Sequence, residues 1–292
     1  MDFQITSNNV KWGKESMNYT QDDLRYLRDL SARVRAQVLV MAHKAKSSHI
    51  GSSLSVVDLL VALYDKIMHV DPYLPGLSSR DRFILSKGHA CAAVYVILAE
   101  KGFFPKSWLD TYQEEGSRLP KHITHSVPGV EVSTGSLGHG LAIACGMSLA
   151  AKRDRQPSRV FAILSDGECD EGSTWEAALF APHHRLDNLV AIVDYNKLQA
   201  FGRVKEVLNL DPLAAKWQAF GWSVLEIDGH SFPQILQTLS TIPFTAGKPS
   251  CVIAHTVKGK GVTFMENELS WHYRYPDDKE LAQALGELEA GR

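Results

Sequence analysis

The residues best able to do chemistry lie in Ser165-Asp166-Gly167-Glu168 and, thirty residues beyond Asp166, in Asp194-Tyr195-Asn196. Arg159 to Ser165 is a continuous apolar run ending on polar residues, the pattern of a parallel strand buried on both faces. From Gly172 to His184, alanines, Trp175, Leu179 and Phe180 recur at helical spacing, and Asn188 to Val193 is a second apolar run. A right-handed crossover puts the carboxyl ends of both strands on one side of a sheet, about 4.8 Å apart if they pair. Asp166 and Asn196 then converge on one ion. Mg2+ takes about six oxygens in near-octahedral geometry, commonly one or two carboxylates, water and substrate phosphates. An Asp carboxylate, an Asn amide oxygen, a backbone carbonyl just past Asn196 and two diphosphate oxygens would nearly fill that shell. Gly167 lets the backbone approach closely, and the amides opening the next helix favour an anion. A lone Asp-Gly after a strand is usually only a turn, so the weight rests on the length of the pattern.

The elements that must position these groups alternate strand and helix. Asp22 to Lys46 carries Leu24, Leu27, Leu30, Val34, Val38 and Met41 at helical intervals, with Thr20 as cap. Helices are expected at Leu54 to Met68, His89 to Lys101, Ser136 to Arg153 and Phe232 to Ser240. Strands are expected at Arg82 to Ser86, Trp222 to Ile227 and Cys251 to His255. This order calls for an α/β fold, a parallel sheet with helices on both faces, whose ligands bind outside the carboxyl ends of the strands. Six histidines fall at such places: His49 in SSHIGSS, His89 after FILS, His122 and His125 before PGVEVSTGSLGHG, His255 ending CVIAH, and His272 after Trp271. Each alone is more often a structural residue, but a neutral ring can accept a proton near pH 7 and a protonated one can bind phosphate.

The 292 residues, 45% hydrophobic, suit a globular protein with ample core. A formal charge of −2 argues against a nucleic-acid binder. No apolar stretch is long enough for a membrane span, and the polar start lacks a signal-peptide core, so the cytoplasm is the expected location. Residues 1–20 are expected to be loosely held and 21–292 to form one cofactor-binding domain. The cysteines at 91, 145, 169 and 251 have no Cys-x-x-Cys spacing and are expected to be free thiols.

The run SDGECDEGSTWEAALFAPHHRLDNLVAIVDYNKLQAFG resembles the thiamine diphosphate motif, in which GDG is followed at this spacing by Asn; only Ser165 departs from GDG. With SSHIGSS, DRFILSKGHA, PGVEVSTGSLGHG, HTVKGKGV and ENELSWH, in order, the chain from about residue 25 to 276 resembles the amino-terminal, diphosphate-binding subunit of a split transketolase. The resemblance implies Mg2+ held by Asp166, Asn196 and the carbonyl of Leu198. It implies His89, His272 and backbone groups of Gly135 and Gly167 at the diphosphate, and Leu137 beside the cofactor rings. His49, His122 and His272 would face the substrate in proton transfer and hydroxyl recognition. Glu171 resembles an acid that connects active sites across a subunit interface, although a carboxylate opening a helix is also favoured there for its own sake. His125, His139, His183 and His184 gain no role. Two departures bear on substrate fit: Ala200 stands where the family often has a larger aliphatic, and SSHIG replaces SGHPG.

The family resemblance further implies thiamine diphosphate with Mg2+, and transfer of a two-carbon ketol unit from a ketose phosphate to an aldose. A transketolase also needs a pyrimidine-binding domain supplying a glutamate, for which this chain has no room. A carboxy-terminal partner subunit is therefore expected, in a heterodimer or a pair of them. Two other readings stay open. One is another thiamine diphosphate enzyme, a 2-oxo acid dehydrogenase α subunit or a deoxyxylulose phosphate synthase. The other is a catalytically silent assembly module.

Overall fold

The computed structural model describes residues 19–291, so the expectation for the first residues lies, up to residue 18, outside the described part. Helix α1 (Gln21–Lys44) opens on the expected cap: Thr20 and Asp23 exchange side-chain and backbone hydrogen bonds, which satisfies two otherwise orphaned amides. Its apolar stripe of Leu24, Leu27, Leu30, Val34, Val38 and Met41 is buried as the spacing requires.

The expected helix at Leu54 to Met68 is instead three pieces: α2 (Ile50–Ser55), α3 (Val57–Ala62) and a π turn at Leu63–Ile67. Periodicity cannot see such breaks, because almost every residue of the segment is buried and no polar face marks the register. Then follow β1 (Arg82–Leu85), α4 (Cys91–Glu100), α5 (Gly140–Arg153), β2 (Val160–Ser165), α6 (Gly172–His183) and β3 (Leu189–Tyr195). After these come the short helices α7 (Val204–Val207) and α8 (Leu213–Ala219), then β4 (Ser223–Asp228), α9 (Phe232–Ser240), β5 (Ser250–His255) and α10 (Asp278–Ala290). Two expected helices start late: α4 is preceded by a 3-10 turn at Gly88–Ala90, and residues 136–139 stay in a loop before α5.

The strands form one all-parallel sheet in the order β1-β2-β3-β5-β4. Alternate residues of β2 feed two cores. Phe161 and Ile163 pack with the cluster that includes α1, α3, α4 and α9, whereas Val160, Ala162 and Leu164 pack with α5, α6 and α8. Covering both faces explains why β2 and β3 read as unbroken apolar runs. All four cysteines are buried and free. Among the described residues, no helix is long and apolar enough to cross a membrane.

Candidate functional site

Ser165 of β2 pairs with Asp194 of β3, so Asp166 and Asn196 leave neighbouring strands at the carboxyl edge of the sheet. The Asp166 carboxylate spans the two loops, accepting from the Gly167 amide at 2.7 Å and from the Lys197 amide at 2.6 Å. Burial, with the Asp194 charge nearby, pushes its carboxyl up to about 6. Asn196 is oriented from both ends: Oδ1 accepts from the Leu198 amide at 3.1 Å, and Nδ2 donates to Asp194 Oδ2 at 3.2 Å. Lys197 takes a positive φ of 66°, turning the chain so that Leu198 and Arg203 form a bridge beside Asn196. Asp166, the Asn196 amide and the Leu198 carbonyl thus belong to one loop cluster.

The sequence reading missed Lys258. Its side chain is buried, and Nζ donates to the Leu198 carbonyl at 2.8 Å and the Gln199 carbonyl at 3.2 Å, lying 3.3 Å from His272 Nδ1. Burial pulls this ammonium down to about 8 despite the attraction of Asp166. The available signal was a lysine in HTVKGKGV, directly after the carboxyl end of β5. Gly51 makes room for it, since a Cβ there would lie 2.8 Å from Lys258 Cγ.

Glu168 was also passed over. Its carboxylate is fully buried and accepts from Ser86 Oγ and, at 2.9 Å, from the Gly138 amide, tying the end of β1 and the 134–140 loop to the turn after β2. Gly140 completes that closure: a Cβ there would lie 2.1 Å from Ser86 Oγ.

Four of the six singled-out histidines meet. The His49 ring lies 4.8 Å from His272, 5.1 Å from His89 and 6.2 Å from His122, and His89 lies 5.8 Å from His272. His49 holds a left-handed φ of 69°, and its amide donates to the His272 carbonyl at 2.9 Å. Burial, then the charges of Lys121, His122 and Lys258, lower His49 to about 4. Burial followed by Lys258 lowers His272 to about 3, and burial followed by Lys87 takes His89 well below the usual range. His122 shifts down for the same first reason. Crowding against one another and beside lysines thus disfavours the charged form of these rings, of which His122 alone is exposed.

His255 and His125 stand apart from this cluster. His255 pairs with Glu226 at 2.8 Å, and exposed His125 bonds Ser133 at 2.9 Å. His139 is exposed, and His183 and His184 meet edge to face at the end of α6, their ring centres 4.8 Å apart. Gly135 abuts His122, Leu137 is partly buried in the loop before α5, and Glu171 is exposed at the start of α6.

Residues 28–288 match the family model described as "Transketolase, thiamine diphosphate binding domain". The chain belongs to the transketolase family. It is 44% identical over 258 residues, 88% of this chain and 92% of the relative, to an apulose-4-phosphate transketolase subunit from Phocaeicola vulgatus. It is 42% identical over 274 residues, 94% of this chain and 98% of the relative, to the 6-deoxy-6-sulfo-D-fructose transketolase subunit SqwG of a Clostridium species. The crystal structure of transketolase from Campylobacter jejuni superposes with a TM-score of 0.85 at 30% identity, covering 90% of this chain. This chain spans 43% of that one. The chain is accordingly a thiamine diphosphate-dependent transferase of that family.

Proposed function

We propose that this chain, as residues 21–292, is the diphosphate-binding subunit of a cytoplasmic split transketolase. It would act with Mg2+ and a carboxy-terminal, pyrimidine-binding partner in a heterodimer or a pair of heterodimers. The observation that carries the reading is the meeting of four neutral imidazoles with Asp166, Asn196 and Lys258 at one edge of the sheet. The donor set fits the cofactor. A buried carboxylate lacking a cation partner holds its proton up to about pH 6, a strain that a divalent ion relieves. One carboxylate, one amide oxygen and one carbonyl are the hard oxygens that Mg2+ prefers, with phosphate completing the shell.

Asp166, Asn196 Oδ1 and the Leu198 carbonyl would hold the metal. Lys258, His89 and His272 would then face the diphosphate together with the Gly135 and Gly167 backbone, and Leu137 would flank the rings. Bound thiamine diphosphate supplies the electron sink for breaking a bond next to a carbonyl. The residues of this chain bind, orient and exchange protons. His49, His122 and His272, neutral at pH 7, can each accept a proton from a substrate hydroxyl or donate to an oxygen. Glu171, exposed at the start of α6, would face the partner side of the interface.

The reaction read here is transfer of a two-carbon ketol unit from an anionic ketose to an aldose. The names of the relatives, one acting on a phosphorylated and one on a sulfonated sugar, support an anionic donor. Co-purifying the chain with a pyrimidine-binding partner and assaying ketol transfer against decarboxylation of 2-oxo acids tests the proposal. Turnover of the oxo acid without ketol transfer, or no turnover and no Mg2+-dependent cofactor binding, would overturn it.

A further inference from the structure

Four segments carry the candidate site: α2 behind His49, the turn holding His89, the end of β3 with Asn196, and the loop after β5 with Lys258. One side chain touches all four. Asp194, on β3 and fully buried, accepts through Oδ2 from Ser55 Oγ of α2 at 2.7 Å, from the Lys87 ammonium and from Asn196 Nδ2 at 3.2 Å, and through Oδ1 from Thr256 Oγ1. Ser55 ends the helix that His49 opens, Lys87 is two residues before His89, and Thr256 is two before Lys258. Lys87 is equally buried and also donates to the Ser52 carbonyl of α2 at 3.0 Å.

A buried ion pair is a poor device for stability alone, since apolar residues of similar volume often serve as well or better. Orientation is what it can supply. A carboxylate only accepts hydrogen bonds, so Asp194 can meet only the NH2 end of the Asn196 amide. The oxygen end is thereby turned the other way. Without that acceptor only the Leu198 amide, donating to Oδ1 at 3.1 Å, opposes a reversal that would present the NH2 to a cation. Lys87 keeps the charge of Asp194 balanced inside the fold, which leaves Asp166 as the carboxylate available to the metal.

We propose that Asp194, paired with Lys87, is a positioning residue for the metal: it fixes the Asn196 amide oxygen toward the cation. The inference rests on the proposed function, and its test separates the two. The full chain with its partner subunit is titrated with Mg2+ at saturating thiamine diphosphate, and binding is read by calorimetry and by the rise in unfolding temperature. Wild type with no Mg2+-dependent binding would overturn both the proposed function and this inference.

In Lys87→Met/Asp194→Leu an apolar pair replaces the ionic one. It is expected to fold with a lowered unfolding temperature, because Ser55, Asn196 and Thr256 lose their acceptor, while the Mg2+ concentration for half-saturation rises about 10- to 100-fold, as for outer-shell partners of metal ligands. Normal half-saturation in this folded variant overturns the inference and leaves the proposed function standing. Ser55→Ala and Thr256→Val each remove one donor from Asp194 and spare its contact with Asn196. They are expected to lower the unfolding temperature and leave Mg2+ half-saturation unchanged. If either weakens Mg2+ binding as far as it weakens folding, Asp194 is a scaffold residue only and the inference falls, whether or not the double variant folds.

Discussion

Replacing Asp166 by Asn should leave the metal-free protein relatively more stable at neutral pH while abolishing its response to cofactor. Burial and Asp194 raise the Asp166 carboxyl from 3.8 to about 6. A carboxyl whose folded pKa lies above its unfolded one holds its proton more tightly when folded. Its contribution favours the fold below the unfolded value and is lost as pH rises through about 6. The difference corresponds to about 3 kcal/mol, an order-of-magnitude figure for a buried group. The amide keeps one acceptor where the carboxylate serves the amides of Gly167 and Lys197, a cost of about 1–3 kcal/mol that does not vary with pH. The informative quantity is therefore the change with pH. Urea unfolding of metal-free wild type and variant should show the variant gaining about 2–3 kcal/mol relative to wild type between about pH 4 and pH 7.5. All other ionisable groups are common to both chains and cancel. With thiamine diphosphate at about 100 times its dissociation constant in saturating Mg2+, wild type should gain about 2.7 kcal/mol over Mg2+ alone and the variant almost nothing. A difference that is flat or falls with pH, or an undiminished response to cofactor, would refute the reasoning.

Lys258→Met, which keeps most of the buried volume, should raise the thiamine diphosphate concentration for half-saturation about 10- to 100-fold, the effect of losing the one charge-assisted hydrogen bond that its ammonium would make to the diphosphate, measurable by calorimetry with the partner present. His49→Asn should fold, because Asn tolerates the left-handed φ of 69° at that position, and should lower kcat/KM for ketol transfer about 100- to 10,000-fold. Gly140→Ala should destabilise by about 1–3 kcal/mol in urea unfolding, because its Cβ would lie 2.1 Å from Ser86 Oγ and spread the contact between Ser86 and Glu168.

Much of this was legible in the chain itself. The apolar runs of β2 and β3, ending at Ser165 and before Asn196, placed two oxygen donors on neighbouring strands, because a parallel crossover leaves one geometry open. Thr20 and the stripe of α1 were legible because a solvated face gives a helix its period. Where both faces are buried that contrast disappears, and the breaks from α2 to the π turn were invisible for that reason. The late start of α5 was hidden too, because loop residues 136–139 are held by a buried carboxylate thirty residues away, Glu168 on Gly138.

Residue types and local order therefore determined the strands, the proposed metal donors and the histidine candidates. The tertiary structure alone decided which histidines meet, since His255 and His125 have the same chemistry and comparable positions yet bond Glu226 and Ser133 instead. It also decided that the charged form of the clustered rings is disfavoured, that Lys258 reaches the Leu198 carbonyl, and that Asp194 joins four segments. The reason is physical: burial and the approach of charges from distant segments arise only when the chain is folded, and those two effects set both the direction of a side chain and the proton it carries.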